Sequence, residues 1–253
     1  MESTPLFTIV TVCFNAASTV GRTIESVADQ TFKDYEHIVI DGASSDNTLD
    51  IVKRAPGAER RHVISEPDHG IYDAMNKGIG IAAGTYLIFL NAGDKFHSRD
   101  TLGKIAAAVD AGEVPGVIYG QTWLVDNEGA FVAPRHLTAP PALSYADFAR
   151  GMLVCHQAFV ALRRIAPLYN TSYRYSADYE WCLRCLQHSR HNVYIDDVLV
   201  DYLHEGMTTA HRRASLLERF RIMSYYYGFW STLRRHFGFA LRFTRNRFTK
   251  KPS

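Results

Sequence analysis

Three strand-length segments rich in apolar residues, each with a polar residue at or shortly after its end, constrain the fold of this chain more than any other feature. They occupy residues 7–12, 36–40 and 86–90, and segments with helical patterns separate them. Continuous rather than alternating apolar strands are typical of a sheet that is covered on both faces. Strands that alternate with helices of about 10–15 residues indicate βαβ units and a parallel sheet.

The remaining elements follow from turn and capping signals. Ser18 is a candidate N-cap for a helix over 19–30, and residues 44–47 supply turn and cap chemistry for a helix ending near residue 54. Ser176 is a second candidate cap. Further predicted elements are strands over 62–65, 117–119 and 193–200, helices over 70–83, 101–111 and 175–186, and a hairpin turn over 126–129.

The polar residues after the three runs predict a binding site. Asn15 and Asp41 follow the first two runs, and Asn91 and Asp94 follow the third. In open α/β sheets, ligands bind in the crevice beyond the carboxyl ends of the strands. Each loop taken alone could be an ordinary turn, since Asp, Asn and Gly favour turns. Three such loops at one edge favour a site.

The motifs of several enzyme classes do not occur. The first run is followed by CFNAAS rather than GxGxxG, and the chain has neither a P-loop nor a nucleophile elbow. Carboxylates and amides at strand ends suit a hydrated cation, Mg²⁺ or Mn²⁺, together with a nucleotide. Cys182 and Cys185 form a CxxC without a second pair at metal-ligand spacing, so they are interpreted as helix-face thiols.

Two long stretches resemble the N-terminal half of family-2 glycosyltransferases, which have the GT-A fold and invert the anomeric centre. TIVTVCFNAASTVGRTIESVADQTFKDYEHIVIDGASSDNT begins at residue 8, and SEPDHGIYDAMNKGIGIAAGTYLIFLNAGD, at residues 65–94, is most similar to bacterial enzymes of colanic acid and exopolysaccharide synthesis. The resemblance is strong over about 7–110 and looser over 150–210. It implies donor-binding roles for Val12, Asn15, Asp41, Glu66, Asp68, Asn76, Lys77 and Asn91.

The resemblance also implies a metal site, with a departure at its centre. Asn91-Ala92-Gly93-Asp94 stands where most relatives carry the metal-binding Asp-x-Asp, so Asp94 is the one carboxylate left in the loop. We expect Asp94 to hold the divalent cation with Asn91 as a neutral helper, because the leaving nucleoside diphosphate develops charge. His204 is a weaker candidate ligand, because some relatives use a histidine in that region.

The acceptor side of the reaction is expected in residues 172–185, SYRYSADYEWCLRC. The resemblance places Asp178 at the catalytic base, which deprotonates the acceptor hydroxyl during in-line attack. The alternative is an acid in the first turn of a helix, where the helix dipole favours it. Glu180 should point elsewhere. His156 and Gln157 match an HQ pair between the donor and acceptor sites of relatives.

Charge divides the chain into two parts. Residues 1–208 hold 17 Lys and Arg against 25 Asp and Glu, whereas residues 209–253 hold 11 Lys and Arg against Glu218 alone. From Leu216, apolar residues recur at steps of three and four through Phe220, Met223, Tyr227, Trp230, Leu233, Phe237 and Leu241. Basic and aromatic residues together are typical of an interfacial helix on anionic lipid. Packing against the catalytic domain is the alternative. Nucleic-acid binding is a third, disfavoured by the acidic 1–208.

These observations predict a GT-A α/β domain over 1–208 with a basic amphipathic helical tail over 209–253. Residues up to about 110 would form the nucleotide-sugar half, and the rest of the domain the acceptor half. The expected activity is inverting transfer from a nucleotide sugar, most directly a UDP-sugar, to a polyprenyl-diphosphate-linked acceptor. The start of the chain lacks a basic n-region, so we expect a cytoplasmic protein attached to the inner face of the membrane. A sugar nucleotidyltransferase and a non-catalytic nucleotide-sugar-binding module are the alternatives.

Overall fold

The computed structural model describes residues 4–109, 112–204 and 212–236. Its strands are β1 (Phe7–Cys13), β2 (Tyr35–Asp41), β3 (Arg61–Ser65), β4 (Tyr86–Phe89), β5 (Lys95–Phe96), β6 (Val117–Val125), β7 (Phe131–Pro134), β8 (Phe159–Leu162) and β9 (Asn192–Leu203). Its helices are α1 (Val20–Ala28), α2 (Thr48–Arg54), α3 (Ile71–Ile81), α4 (Thr101–Val109), α5 (Ala177–His188) and α6 (Arg212–Tyr227). A further helical segment occupies residues 229–236.

One mixed sheet organises these elements, in the order β3-β2-β1-β4-β8-β6-β9-β5, with β7 paired to β6. Strands β3, β2, β1 and β4 are mutually parallel. Strand β8 runs antiparallel to both β4 and β6, whereas β6 and β9 are parallel. The carboxyl ends of β1, β2 and β4 therefore meet at one edge, as the sequence predicts.

The sheet has apolar layers on both faces. Alternate residues of β1 point to opposite sides, so Val10 and Val12 join the layer that contains α3 and α5, while Phe7 and Ile9 join the layer that contains α4. The first layer leaves no room for a side chain at residue 78, because a Cβ on Gly78 would lie 2.5 Å from Val10 Cγ1. Helix α3 thereby lies close against β1, next to the site described below.

Most predicted elements are confirmed to within a few residues. The three initial strands, the helices after them and the hairpin turn at 126–129 all form, and Ser176 directly precedes α5. Helix α1 begins at Val20 after Thr19, one residue beyond the position that Ser18 predicts. Strands β5 and β8 have no counterpart in the prediction. Both are short, and β8 lies between β4 and β6 only because of long-range pairing.

Helix α6 packs on the domain, which corrects the prediction of one exposed stripe along the tail. Ile222 and Met223 are buried in the same layer as α3 and α5, whereas Leu216 is 52% exposed and Trp230 is 78% exposed. Residues that differ this much in exposure do not share one lipid-facing surface. Over 212–227 the contacts favour the alternative that the sequence left open. The stripe residues Phe237 and Leu241 lie outside the described residues.

Within the described ranges, no helix has the length and apolar character that crossing a bilayer requires. Cys182 and Cys185 are buried free thiols on α5, in the layer that contains α3.

Candidate active site

Two adjoining cavities open at the carboxyl edge of β1, β2 and β4. The larger, of about 390 Å³, is lined by two carboxylates, Asp94 and Asp178, and is called the acidic cavity. The smaller, of about 350 Å³, is lined mainly by apolar groups and is called the apolar cavity. They share part of their wall, so they form one crevice with two compartments. The shared residues are Phe14, Ile71, Asn91 and Ala92.

The loops that follow β1 and β2 are bound to each other beside the apolar cavity. The Asn15 side-chain oxygen accepts a hydrogen bond from the Ser45 backbone N–H at 3.0 Å, and the Asn15 backbone N–H donates to Ser44 Oγ at 2.8 Å. Asn15 has a φ of 47°, in the left-handed region that Asn tolerates better than most residues. Val12 lines the apolar cavity directly.

Asp41 is buried beneath these loops. Its carboxylate accepts hydrogen bonds from the Ser44 backbone N–H at 3.0 Å and from Ser65 Oγ at 2.7 Å, and the Ser44 hydroxyl donates to it as well. Burial and this carboxylate raise the pKa of the Cys13 thiol to about 12. Asp41 therefore fixes the loops after β2 and β3 from below, and it is not among the residues that line the two cavities.

Asp68 lies at the mouth of the apolar cavity and shapes the start of α3. Its carboxylate accepts a hydrogen bond from the Gly70 backbone N–H at 2.8 Å. A Cβ on residue 42 would lie 2.5 Å from Asp68 Oδ2, so the loop after β2 reaches this carboxylate only with glycine at that position. Glu66 forms an ion pair with Lys77 at 2.8 Å, at the surface beside the same loop.

Asn76 joins the two halves of the molecule. Its amide donates to the Tyr169 carbonyl at 3.0 Å and accepts from the Tyr169 N–H at 2.7 Å. Both ends of the Asn76 amide are thus bound to the backbone, and it is not among the residues that line the cavities. In this structure Asn76 holds α3 against the segment that precedes α5.

The loop over residues 91–94 is held in place from α1. Thr23 Oγ1 donates to the Asp94 carbonyl at 2.6 Å and accepts from the Gly93 N–H at 2.9 Å. Arg22 donates to the Gly93 carbonyl at 2.7 Å. Asn91 lines both cavities, and its buried side-chain oxygen accepts no hydrogen bond from the described residues. A buried acceptor without a partner is costly, so this oxygen is suited to a ligand hydroxyl or a cation.

Asp94 is 3% exposed and lies in the wall of the acidic cavity. Gln157 Nε2 donates to its Oδ2 at 3.0 Å, and the Leu203 N–H donates to its Oδ1 at 2.9 Å. Burial raises the pKa of the Asp94 carboxyl to about 7, against the effect of these hydrogen bonds. Through the Leu203 N–H, the same carboxylate also joins the 91–94 loop to the end of β9.

A divalent cation fits this site only when it is shared with a substrate. Among the described residues no group of three His, Cys, Asp or Glu side chains could hold a metal ion. Asp94 and Asn91 together offer one carboxylate and one unpartnered amide oxygen to the crevice. Mg²⁺ often binds through one or two carboxylates together with substrate phosphates and water. Asn91 and Asp94 would hold such a cation only with a diphosphate in place.

Asp178 stands in the wall of the acidic cavity, in the first turn of α5. Tyr72 donates its hydroxyl proton to Asp178 Oδ1 at 3.2 Å, and the Tyr179 N–H donates to the same oxygen at 2.8 Å. Asp178 Oδ2 accepts no hydrogen bond from the residues that the structure describes. One oxygen therefore fixes the carboxylate, and the other is left for a ligand.

Glu180, two residues further along α5, faces α6 rather than the cavity. The Tyr226 hydroxyl donates to it at 2.6 Å.

His156 and Gln157 lie between the two carboxylates. Gln157 contacts Asp94, as described above, and His156 Nε2 is hydrogen-bonded to the Tyr169 hydroxyl. Burial lowers the pKa of His156 to about 4, so the ring is neutral at pH 7. Phe89 and Trp181 pack on the His156 ring at centroid distances of 5.1 and 5.5 Å. Within this aromatic cluster, His156 is the member that lines the acidic cavity.

His204 is exposed, and it is not among the residues that line the acidic cavity. Its backbone N–H donates to the Val125 carbonyl at 2.9 Å. The adjacent Glu205-Gly206 lies outside the described residues. The structure therefore brings Asn91, Asp94, His156, Gln157 and Asp178 together around one cavity, and it leaves His204 apart from them.

Sequence reasoning missed several residues of the crevice. Tyr72 contacts Asp178, Phe14 is 63% exposed between the two cavities, and Arg174 and Tyr175 line the acidic cavity. Each of them belongs to a stretch that the resemblance already covers. Their side chains carry no motif of their own, and only the three-dimensional contact between α3 and α5 shows the role of Tyr72.

A crevice at the carboxyl ends of parallel strands is where open α/β sheets bind their ligands, and here an apolar compartment lies beside a pair of carboxylates. Residues 8–166 match the sequence profile described as glycosyl transferase family 2. The chain is 36% identical over 191 residues to a PGL/p-HBAD biosynthesis glycosyltransferase of Mycobacterium bovis, covering 72% of this chain and 70% of that protein. The chain belongs to glycosyl transferase family 2 and is a glycosyltransferase.

Other similar proteins have related descriptions. The amylovoran biosynthesis glycosyltransferase AmsB of Erwinia amylovora is 26% identical, covering 70% of this chain and 63% of that protein. S. aureus TarS in complex with UDP-GlcNAc has a TM-score of 0.68 at 16% identity, covering 92% of this chain and 73% of that one. A mannosyltransferase from Pyrobaculum calidifontis in complex with GDP-Man and Mn²⁺ has a TM-score of 0.63 at 16% identity, covering 87% and 64%. The two solved structures confirm the GT-A fold.

Proposed function

We propose that this protein transfers a sugar from a nucleotide sugar, most directly a UDP-sugar, to a lipid-linked oligosaccharide with inversion at the anomeric carbon. The observation that carries the proposal is the position of Asp178, which shares one cavity with Asn91 and Asp94 while its Oδ2 stays unpartnered within the described residues. A base on one side and a diphosphate subsite on the other are the two groups that in-line displacement requires.

The donor occupies both compartments in this proposal. The base and ribose lie in the apolar cavity against Val12 and Phe14, with Asp68 at its mouth. Asn91 lines both cavities, so its unpartnered oxygen is available to the ribose or to a cation at the diphosphate. The TarS complex with UDP-GlcNAc supports the choice of a UDP-sugar. The Pyrobaculum enzyme, in complex with GDP-Man, shows the same fold with a guanosine nucleotide.

Asp178 acts as the general base. Its Oδ2 takes the proton of the acceptor hydroxyl while the hydroxyl oxygen attacks the anomeric carbon. The nucleoside diphosphate leaves from the opposite face. Tyr72 and the Tyr179 N–H hold the carboxylate through Oδ1, which leaves Oδ2 for the acceptor. A cation held by Asp94 and Asn91 would supply positive charge to the leaving diphosphate.

The acceptor in this proposal is carried by a polyprenyl diphosphate at the inner face of the plasma membrane. The amylovoran relative supports a role in exopolysaccharide or related glycan synthesis. The surplus of ten positive charges in residues 209–253 supports attachment to anionic lipid. Phe229 and Trp230 are exposed in the described part of that segment.

Transfer of a labelled sugar tests the proposal. Full-length protein would be incubated with a panel of radiolabelled nucleotide sugars, Mg²⁺ or Mn²⁺, and lipid-linked acceptors, and the product linkage would be determined by NMR. Asp178→Asn should bind UDP as well as wild type does, yet transfer at least about 10²-fold more slowly. Formation of a nucleotide sugar from a sugar phosphate would instead indicate the nucleotidyltransferase. Binding without any turnover of the panel would indicate a non-catalytic module.

A further inference from the structure

The segment that leads into α5 is held by a carboxylate from α6. Glu218 Oε1 accepts a hydrogen bond from the Arg174 backbone N–H at 2.8 Å, and Glu218 Oε2 accepts one from the Tyr175 N–H at 2.7 Å. Ser176 Oγ lies 3.2 Å from both the Ser215 carbonyl and the Ser215 hydroxyl. Three consecutive residues are therefore bound to α6 just before the helix that carries Asp178.

Glu218 is an unusual residue for its segment. It is the one acid in residues 209–253, which otherwise carry 11 basic residues. Hydrogen bonds from backbone N–H groups to a carboxylate are stronger than those between neutral groups, and two of them fix the direction of the backbone. A helix that served only to contact lipid would have no use for this carboxylate, so its position indicates a task at the cavity.

The fixed backbone places the Arg174 side chain at the acidic cavity. Arg174 is the one Lys or Arg among the described residues that line either cavity. Its guanidinium lies 5.8 Å from the centroid of the Tyr175 ring and forms no ion pair within the described ranges. A guanidinium at the edge of a binding cavity, with its donors free of any carboxylate, is suited to a phosphate group, which it binds in bidentate fashion.

The side chains of the 91–94 loop carry no positive charge, so a guanidinium on the other wall of the cavity would complement them at a bound phosphate. Gly93 has no side chain, and both oxygens of Asp94 already accept hydrogen bonds from Gln157 and Leu203. A diphosphate carries more charge than one carboxylate-bound cation neutralises. Positive charge from the other wall of the cavity would stabilise it further.

We propose that Arg174 binds the diphosphate of the substrate and that Glu218 is the positioning residue that holds Arg174 in place. The inference rests on the proposed function, since it concerns the same cavity. The nucleotide sugar and the lipid-linked acceptor both carry a diphosphate, and the geometry favours that of the donor, because Arg174 and Asn91 line the same cavity.

Binding of UDP and of uridine to the full-length protein tests the role of Arg174 without any transfer. By calorimetry, Arg174→Gln should weaken UDP binding about tenfold and leave uridine binding unchanged, because the guanidinium contacts phosphate alone. Arg213→Gln, at an exposed position of α6, is the matched control and should change neither affinity. An unchanged UDP affinity together with a raised KM for the lipid-linked acceptor would assign Arg174 to the acceptor's diphosphate. Unchanged UDP affinity and unchanged acceptor KM would overturn the proposal.

A double-mutant cycle tests whether Glu218 acts through Arg174. Glu218→Gln should weaken UDP binding about threefold to fivefold in the wild-type background and by less than about 1.5-fold in the Arg174→Gln background. Leu217→Gln, 64% exposed on the same helix, is the control for a change on α6 that leaves the carboxylate intact. Equal losses in both backgrounds would show that Glu218 supports the fold rather than Arg174, and melting temperatures would reveal that loss directly. These binding measurements do not depend on sugar transfer, so they distinguish a failure of this proposal from a failure of the proposed reaction.

Discussion

The hydroxyl of Tyr72 lies 3.2 Å from Asp178 Oδ1, which joins the first turn of α3 to the first turn of α5 across the acidic cavity. The two residues are 106 positions apart in the chain. Helix α3 also lines the apolar cavity, through Ile71 and Ala74, whereas α5 carries the proposed base. The contact therefore fixes the carboxylate relative to the helix that lines the other cavity.

Removing this hydroxyl should slow transfer. Tyr72→Phe takes away one of the two hydrogen bonds that fix Asp178 Oδ1, so the carboxylate is held less firmly in the cavity. We expect kcat to fall about threefold to tenfold while the affinity for UDP stays unchanged. The measurements are the steady-state transfer rate and calorimetry with UDP for both proteins.

Tyr86→Phe is the matched control. Tyr86 is fully buried, and its hydroxyl donates to the Pro115 carbonyl at 3.0 Å, away from both cavities. Each substitution should lower the free energy of unfolding by about 1 kcal/mol. Only Tyr72→Phe should lower kcat. Equal kcat values for all three proteins would show that the Tyr72 contact has no influence on the base.

The Asn91–Asp94 loop should govern the response to metal. Asp94→Ala should abolish the extra thermal stabilisation that Mn²⁺ adds to UDP, and Asn91→Ala should weaken it, because these two residues carry the side-chain oxygens of that loop. Thermal shift with UDP, with and without Mn²⁺, measures this response. Asp196→Ala, an exposed acid on β9, should respond as wild type does. An unaltered metal response in Asp94→Ala would place the cation elsewhere.

Local patterns in the sequence predict the N-terminal half of the fold well. The strands β1, β2 and β4 are rich in apolar residues and are buried along their whole length, apart from one partly exposed residue, Glu36. Their parallel pairing follows from the helices between them, so the convergence of Asn15, Asp41 and Asn91 at one edge was predictable. Which of these residues faces the crevice was not predictable. Asp41 lies under the loop, bound to Ser44 and Ser65, because tertiary contacts decide which polar residue faces the crevice.

The C-terminal half of the fold was harder to predict for a physical reason. Strand β8 has four residues and lies between β4 and β6, so its pairing depends on partners far away in the chain. The basic composition of residues 209–253 indicates a solvated or lipid-facing helix. It does not show that Ile222 and Met223 fill the layer beside α5, nor that Glu218 reaches the segment before it. Charge counts describe a segment as a whole, whereas packing depends on single positions.

The stability of the folded protein should depend on the protonation of His156. Its pKa falls from an ordinary value near 6.5 to about 4 on folding, because burial disfavours the charged ring. Between pH 6.5 and pH 4 this side chain binds a proton in the unfolded chain but not in the folded one, so its contribution to the free energy of unfolding should fall on acidification. The Asp94 carboxyl, whose pKa is raised to about 7 by burial, has the opposite effect over the same range. The loss from this residue is on the order of 3 kcal/mol, at about 1.4 kcal/mol per unit of pKa.

Urea unfolding at a series of pH values measures the effect. His156→Asn should show a shallower fall in the free energy of unfolding between pH 6.5 and pH 4, whatever its stability at pH 7. A residual slope should remain, because burial also lowers the pKa of His37 to about 3. His62→Asn, an exposed histidine on β3, is the control and should keep the full slope. Equal slopes in wild type and His156→Asn would mean that the ring is protonated without cost in the folded state.

We expect the helical segment over 229–236 to contact the membrane surface. Phe229 is 49% exposed, Trp230 is 78% exposed and Leu233 is 37% exposed, and Arg234 next to them is exposed as well. Basic residues near an anionic surface contribute about 1 kcal/mol each, and exposed aromatic side chains add insertion into the interface. The full-length protein should bind vesicles that contain anionic lipid, and added salt should weaken that binding.

Substitutions on this segment separate lipid binding from folding better than truncation does. Ending the chain after Thr208 would remove Ile222 and Met223 from the core, so that protein should lose stability as well as lipid binding. Trp230→Glu combined with Leu233→Glu should weaken vesicle binding in a sedimentation assay while UDP binding stays unchanged. Phe131→Glu with Val132→Glu, an exposed apolar pair on β7, is the control for the loss of two apolar side chains elsewhere. If both double variants lose vesicle binding equally, or if neither does, residues 229–236 do not form the lipid contact.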